Sequence, residues 1–412
     1  MRTSIITLLG ICLSLSAASG NWPMFGGPNR DFTIGEVGLA ESWPADGPEV
    51  LWQGEVGDGF GGPAIYDGKV YLLDRDGQTG DVLRCFDLQS GRQLYQTAYD
   101  APGKISYHGS RSTPAVTGKF VLTVGPFGDF KCFNRADGKL VWSKHLLKDF
   151  GGSLPRWAVA QSPIVDGDVV YVAPQSGRVG LAAFDISTGR ELWTSPPVGK
   201  MQYVTPLLTT LAGQKQLVML AGDGASGIDP QTGKMLWKYG NWGCSNAIPQ
   251  PRVIDGNKLF MTGGYGAGCA MIQVDRNEAG FTVRQLYKND ELNAQITAPL
   301  LHEGYLYLVA NGNRYKDGLM CADPSDGSVV WKTGDRQFDR GQAVLVGDLM
   351  LIIHGQKGTL HLIRPSKEGL KQLAEAELLG GKKIWAPMAL SDGLLVIRDQ
   401  SQIKCVRVGK AD

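Results

Sequence analysis

Seven stretches of this sequence collect side chains that can bind or react. They hold Tyr107, His108 and Arg111; Arg156, Trp157 and Gln161; Lys200, Gln202 and Tyr203; Trp242 and Asn246; Asn293 and Gln295; Asp339, Arg340 and Gln342; and Lys382, Lys383 and Trp385. Aromatic faces give flat apolar contact, while Arg and Lys give directed or long-range charge, a pairing enriched where proteins grip ligands. This is the chemistry of recognition. Catalysis asks for more than these residues offer. The histidines at 108, 145, 302, 354 and 361 have no metal-ligand spacing, and no Gly-x-Ser-x-Gly, P-loop or His-Glu-x-x-His is present. The glycine-rich run at 263–268 joins two strand-like stretches instead of a strand and a helix, so it carries no nucleotide signal.

What positions these side chains is a repeat. Residues 183–193, AFDISTGRELW, read as strand, tight turn and strand: Asp185 accepts hydrogen bonds from turn N–H groups two or three residues on, and Gly189 supplies a positive φ. Variants recur as CFDLQSGRQLY (85–95), CFNRADGKLVW (132–142), GIDPQTGKMLW (227–237) and CADPSDGSVVW (321–331). Between them lie apolar runs that open on Pro and turn at Asp-Gly, such as PAIYDGKVYLL from Pro63 and PIVDGDVVYV from Pro163, a hairpin pattern. The anchors Pro63, Pro114, Pro163, Pro206, Pro251, Pro299, Ala343 and Pro387 stand 43 to 51 residues apart, the length of one four-stranded propeller blade. Eight anchors predict eight blades. The units around 273–287 and 361–373 lack the motif and its Trp, so their docking to neighbours is open. The last unit stops one strand short, and EVLWQGEV at 49–56 carries Trp52 at the missing position. The expected fold is therefore all-β: an eight-bladed propeller over 49–412, closed by an N-terminal strand that joins the last blade and leaves no free edge. Residues 21–48, with Trp22, Phe25, Phe32 and Trp43, form an extended arm pinned to it.

The A-x-D-x-x-T-G-x-x-x-W pattern resembles the repeat of PQQ-like β-propellers, the superfamily of quinoprotein alcohol dehydrogenases and BamB-like outer-membrane assembly proteins. The opening WPMFGGPNRD is similar to the start of secreted bacterial members. The resemblance spans nearly the whole mature chain and speaks for fold more than for function. Under the dehydrogenase reading it implies PQQ held against an adjacent Cys-Cys pair, with calcium and a catalytic Asp. No two cysteines are adjacent here, and although Asp339 beside Arg340 could mimic a base with its partner, no calcium ligands identify themselves. Under the BamB-like reading it implies a binding module without a cofactor.

In such a meander the Asp-Gly and Thr-Gly turns share one face and the longer loops share the other. The expected ligand-binding funnel lies on that second face: Tyr107, His108, Arg111, Arg156, Trp157, Gln161, Tyr203, Trp242, Asn246, Arg340, Lys383 and Trp385, with no catalytic residue and no metal. An acidic or sugar-like ligand, an extended peptide or an envelope protein fits its chemistry. The competing reading is that the tryptophans plug the channel and the charges pair with Asp58, Asp129 and Asp339.

Charge excludes some partners. Forty-one basic residues face forty acidic ones, so neither nucleic acid nor an anionic membrane surface is called for. Arg2, the apolar run 5–15 and the small residues 16–20 form a secretory signal peptide with cleavage near 18 to 20, which places a monomeric protein in the periplasm or outside the cell. The apolar run is too short to span a bilayer, and no later stretch is long enough. Cys85, Cys132, Cys321 and Cys405 occupy one repeat position in separate blades and should be buried thiols. Cys244 and Cys269 lie in loops of one blade, and a disulfide between them is expected, with two free thiols as the alternative.

Overall fold

The computed structural model describes residues 20–35, 38–77, 80–311, 316–335 and 337–410. The expected signal peptide falls outside them except for Gly20. The described residues are all-β, arranged as eight four-stranded antiparallel sheets, one of which gains a fifth strand. The innermost strands are Ala64–Tyr66, Ala115–Val116, Ile164–Asp166, Leu207–Leu211, Arg252–Ile254, Leu300–His302, Ala343–Val346 and Ala389–Ser391. Each begins at or just after its anchor. Closure is as expected: Val50–Glu55 pairs antiparallel with Gln402–Arg407 and completes the eighth blade, setting Trp52 opposite Cys405.

Local chemistry explains the turns. Asp67 and Gly68 both have positive φ, 52° and 67°, the conformation that lets a two-residue hairpin follow the twist of its strands. In the second turn type, Asp185 Oδ1 accepts from Thr188 N–H (2.9 Å), Ser187 Oγ (2.7 Å) and Thr188 Oγ1 (2.8 Å). Hydrogen bonds from Ser187 and Thr188 pull its carboxyl down to about 2.

Blades are joined by aromatic side chains on their outermost strands. Trp52 Nε1 donates to Leu88 O (2.7 Å), Trp142 to Ile186 O (2.6 Å), Trp193 to Pro230 O (3.0 Å) and Trp331 to Ser366 O (2.9 Å), each on the following blade. The first three rings also lie on the neighbour's turn glycine. A Cβ at Gly91 would sit 2.5 Å from Trp52, one at Gly189 2.7 Å from Trp142 and one at Gly233 2.5 Å from Trp193. A ring burying roughly 150 Å² gains about 4 kcal/mol, against about 1 kcal/mol net for its hydrogen bond. Packing supplies the strength, and the hydrogen bond fixes the rotamer.

The two irregular blades solve the same problem differently. Tyr287 takes the Trp position in blade 5 and donates to Pro324 O (3.1 Å). On its other side, Trp237 of blade 4 finds no motif turn and donates within its own blade to Gln216 Oε1 (2.6 Å), while Tyr239 Oη reaches Gln285 Oε1 of blade 5 (2.6 Å). Blade 7 presents Ala374 at the Trp position. There the arm comes in: Leu39 is buried with Trp43 against that core, and Gly47 packs on Ala376.

The first part of the arm crosses the channel at the turn end of the inner strands. Trp22 exchanges backbone hydrogen bonds with Ile65, Val116 N–H donates to Pro23 O, and Arg30 Nη2 reaches Val165 O (2.9 Å). Arg252 then clamps Asp31 (2.8 Å) while donating to Pro299 O, and Thr33–Ile34 runs parallel to Ala343–Val346 as a fifth strand of blade 7. Blades 1, 2, 3, 5 and 7 are thereby linked across the axis.

The cysteines require one correction. Cys85, Cys132, Cys321 and Cys405 are buried free thiols, but so are Cys244 and Cys269. The expected Cys244–Cys269 disulfide is absent because the two lie on opposite faces of the blade 5 sheet. Cys244 belongs to the core shared with blade 4 and points its sulfur at Gly264 O (3.7 Å). Cys269 belongs to the core shared with blade 6 and contacts Asn289 Oδ1 (3.3 Å). Shared loop face did not mean shared sheet face.

Two expectations follow. Gly189 and Gly167 both have positive φ, 67° and 60°, but nothing lies within 4 Å of a Cβ at Gly167. Gly167→Ala should cost about 1–2 kcal/mol of backbone strain, and Gly189→Ala roughly 1–3 kcal/mol more for displacing Trp142; equal losses in urea melts would refute the inter-blade role of the glycine. Burial pushes the Cys269 thiol up to about 12 and raises that of Cys244, so native protein at pH 8 should resist thiol reagents. After denaturation without reductant, all six thiols of the described residues should react; a count of four would restore the disulfide.

Candidate functional site

On the loop face the ring encloses a cup of about 260 Å³. Its wall is periodic. The residue three positions before the anchor lines it in seven of eight blades: Phe60, Arg111, Ala160, Tyr203, Ile248, Ile296 and Arg340. In the eighth, Lys383 adopts a positive φ of 62°; there Ile384 is buried and Trp385, one residue on, faces the cup. Thr205, Gln250 and Gln342, one position before the anchor, add polar groups lower down. The floor is Phe25 and Phe32 from the arm, edge to face at 5.0 Å. The channel is therefore closed from behind and open on one side.

A chain of hydrogen bonds holds the loops in register. Gly62 N–H donates to Thr113 Oγ1 (3.1 Å), Thr113 N–H to Ser162 Oγ (3.0 Å) and Ser162 N–H to Thr205 Oγ1 (2.9 Å). Gln250 Nε2 donates to Thr205 O (3.1 Å), and Thr297 Oγ1 to Gly341 O (2.6 Å). Each bond joins adjacent blades, so the wall is preorganised before any ligand arrives.

Above it stands an aromatic cluster. Phe60 stacks on Trp385 (5.5 Å, 28°), and Tyr107 meets Trp157 (5.5 Å, 65°) and Trp385 (5.6 Å, 44°). Cations lie on its rings: Arg340 over Trp385 at 4.8 Å, Lys383 over Tyr107 at 4.6 Å, Arg156 over Trp157 at 4.8 Å and Arg111 over Phe60 at 5.7 Å. Two of the four are already committed. Arg111 donates to the carbonyls of Ser106, Tyr107 and Gly109, and burial lowers it to about 10. Arg340 faces Asp339 at 3.4 Å. Lys383 and Arg156 are exposed and have no carboxylate partner among the described residues. Tyr203 Oη accepts from Trp157 N–H (3.3 Å), and burial raises its hydroxyl above the usual range.

Of the twelve expected residues, Tyr107, Arg111, Trp157, Tyr203, Arg340 and Trp385 line the cup, and Lys383 and Arg156 crown its rim. Four lie elsewhere. Trp242 is 1% exposed, packed in the blade 4–5 core with Nε1 on Ala267 O. Gln161 is buried and exchanges hydrogen bonds with the backbone of Ala173. His108 pairs with Asp58 (2.9 Å) outside the lining, and Asn246 Nδ2 contacts only Ser245 Oγ (3.2 Å). Sequence reasoning missed Phe60, Ile248, Ile296, Tyr265 and the two floor phenylalanines as lining residues. Counting three back from each anchor finds the first three; nothing local marks the others.

Comparison with known proteins bears on what such a cup serves. A family model described as outer membrane protein assembly factor BamB matches residues 78–333. The outer membrane protein assembly factor BamB of Shewanella oneidensis is 25% identical over 380 residues, covering 77% of this chain and 89% of that protein. Lupanine 17-hydroxylase (cytochrome c) of a Pseudomonas species is 28% identical over 210 residues, 44% of this chain and 29% of that protein, so the match spans under a third of its length. Among solved structures, BamB from Moraxella catarrhalis superposes with a TM-score of 0.62 at 15% identity, covering 87% of this chain and 99% of that one. Quinohemoprotein alcohol dehydrogenase from Comamonas testosteroni gives 0.65 at 14% identity, covering 97% and 82%. The structural likenesses are likenesses of fold.

Trp242 and Trp385 separate core from cup. Trp242→Ala should cost about 3–5 kcal/mol of stability in a denaturant melt, whereas Trp385→Ala, whose ring is only partly buried at the cup wall, should cost clearly less. Equal losses would mean that Trp385 is a plug.

Proposed function

The chain belongs to the family of the outer membrane protein assembly factor BamB, and from that premise we propose that it is a non-catalytic binding module of the cell envelope that holds a partner protein on its loop face. The observation that carries the reading is the asymmetry of the two faces. One consists of short repeated turns, crossed by the arm; the other carries an aromatic-walled cup to which all eight blades contribute, with two cations on its rim that have no carboxylate partner among the described residues. Exposed aromatics beside Arg and Lys on a rigid frame are the usual anchors of protein contacts. The similarity to the Shewanella oneidensis assembly factor, along most of both chains, supports a protein as the partner. Secretion follows from the N-terminal leader pattern. Among the described residues no helix is long and apolar enough to cross a membrane.

A second reading has support in the quinohemoprotein alcohol dehydrogenase likeness. The residues present do not fit its cofactors. No cysteines are adjacent, and among the described residues no three His, Cys, Asp or Glu side chains gather as metal ligands. The acids around the mouth, Asp339 and Asp58, are engaged by Arg340 and His108.

Photo-crosslinkers placed at Arg156 and Lys383, and on the opposite face at Asp137 and Gln231, test the proposal in intact cells. Crosslinks to a defined envelope protein should come from the first pair alone; equal yields from both faces, or none, refute it. In parallel, purified protein given PQQ and calcium should show no saturable binding and no dye-linked oxidation of alcohols or sugars. Stoichiometric binding with turnover would put the dehydrogenase in its place.

A further inference from the structure

The depth of the cup carries chemistry that partner docking on the rim does not use. Gln295 is 7% exposed, lines the cup, and donates from Nε2 to Tyr265 Oη (2.9 Å). Its Oε1 is buried without a partner among the described residues. Trp385, two blades further round the wall, has an indole N–H equally buried and unpartnered among the described residues. An unpaired buried acceptor and an unpaired buried donor each carry an uncompensated desolvation cost, and such groups in native folds call for an explanation. Gln342, between them in the ring, also lines the cup and can present its side-chain amide to it. These groups are neutral and offer both donors and acceptors.

We propose that the cup is a saccharide subsite that seats one uncharged pyranose ring. Size points to a single ring: the space of about 260 Å³ lies just below the roughly 300–1,000 Å³ of pockets for drug-sized ligands, too small for an extended peptide. Shape points to a puckered ring instead of a flat one. Tyr107 and Trp157 are inclined at 65°, Tyr107 and Trp385 at 44°, and the floor rings at 86°, while Phe60 and Trp385 already stack on each other. No two parallel faces leave a slot for a planar heterocycle. Inclined faces suit the C–H surface of a sugar, whose hydroxyls both donate to Gln295 Oε1 and accept from Trp385 Nε1 and the Gln342 amide. Charge points to a neutral ligand: of the two cations in the wall, Arg111 is satisfied by carbonyls and Arg340 faces Asp339. The free cations stand outside, on the rim.

Tryptophan fluorescence and saturation-transfer NMR on the mature protein test this, with neutral monosaccharides and their β-linked dimers as probes. Glucuronic acid, adenosine and a tripeptide serve as comparators. A neutral pyranose should bind saturably and better than any comparator. Gln295→Leu and Gln342→Leu should each weaken it about tenfold at near-native melting temperature, Trp385→Phe should weaken it while keeping an aromatic ring, and Lys234→Ala, exposed on the turn face, should leave it unchanged. The inference is overturned if no neutral sugar binds at millimolar concentration, if adenosine or glucuronic acid binds better, or if binding survives the Gln295→Leu, Gln342→Leu double variant. Rim crosslinking scored separately on that double variant distinguishes this failure from failure of partner docking.

Discussion

At five of the eight junctions an aromatic side chain of one blade lies on the next blade's turn glycine, Trp52 on Gly91, Tyr95 on Gly138, Trp142 on Gly189, Trp193 on Gly233 and Tyr287 on Gly327, and donates to a carbonyl beside it. Because the contact joins one blade to the following one, it fixes the angle between them, and a ring closes only if the angles accumulate to a full turn. The turn glycine is thus required twice, by a positive φ of its own and by the ring resting on it. Where an irregular blade removes the glycine, the structure supplies substitutes: the Gln216 and Gln285 side chains at the blade 4–5 junction and the arm at blade 7.

Closure has a consequence for the site. A closed ring brings eight equivalent loop positions to one rim, so a single residue per blade suffices to line a cup. No two of these residues are neighbours in sequence, yet they form a continuous wall, tied by hydrogen bonds from loop to loop. The arm turns this wall into a vessel. By running beneath the inner strands it converts an open channel into a floor of two phenylalanines, and the ion pair of buried Arg252 with half-buried Asp31 holds that floor in place. Burial lowers the Arg252 guanidinium while Asp31 opposes the shift. Without Asp31 the Arg252 guanidinium would be left desolvated and unpaired there.

Satisfied and unsatisfied polar groups divide the site into parts. Arg111 and Arg340 belong to the wall, the first donating to three carbonyls and the second facing Asp339 through Nε, and both lie over aromatic rings. Lys383 and Arg156 also cover rings but keep their charge for something outside. The unpaired amide oxygen and indole N–H lie deeper. A neutral, hydrogen-bonding interior under a cationic rim is a different environment from either part alone.

The sequence by itself determined the fold. Spacing of anchors gave eight blades, the Asp-Gly and Thr-Gly pairs gave the hairpins, and Trp52 at a D-strand position gave the closure, because these signals are local and repeat with the period of the structure. It also determined which face bears the loops, and so six of the cup's side chains. Only the tertiary structure decided direction. Trp242 and Gln161 occur in the right loops but turn into the core or toward backbone, and Cys244 and Cys269 share a loop face but not a sheet face. Phe25 and Phe32 belong to an arm without periodicity, and their place beneath the cup depends on contacts with blades hundreds of residues away, such as Arg252 and Leu345. Side-chain direction depends on one backbone dihedral at a time, as Lys383 shows by carrying a positive φ two residues before Trp385, which faces the cup, and such dihedrals are settled by packing once the ring has closed.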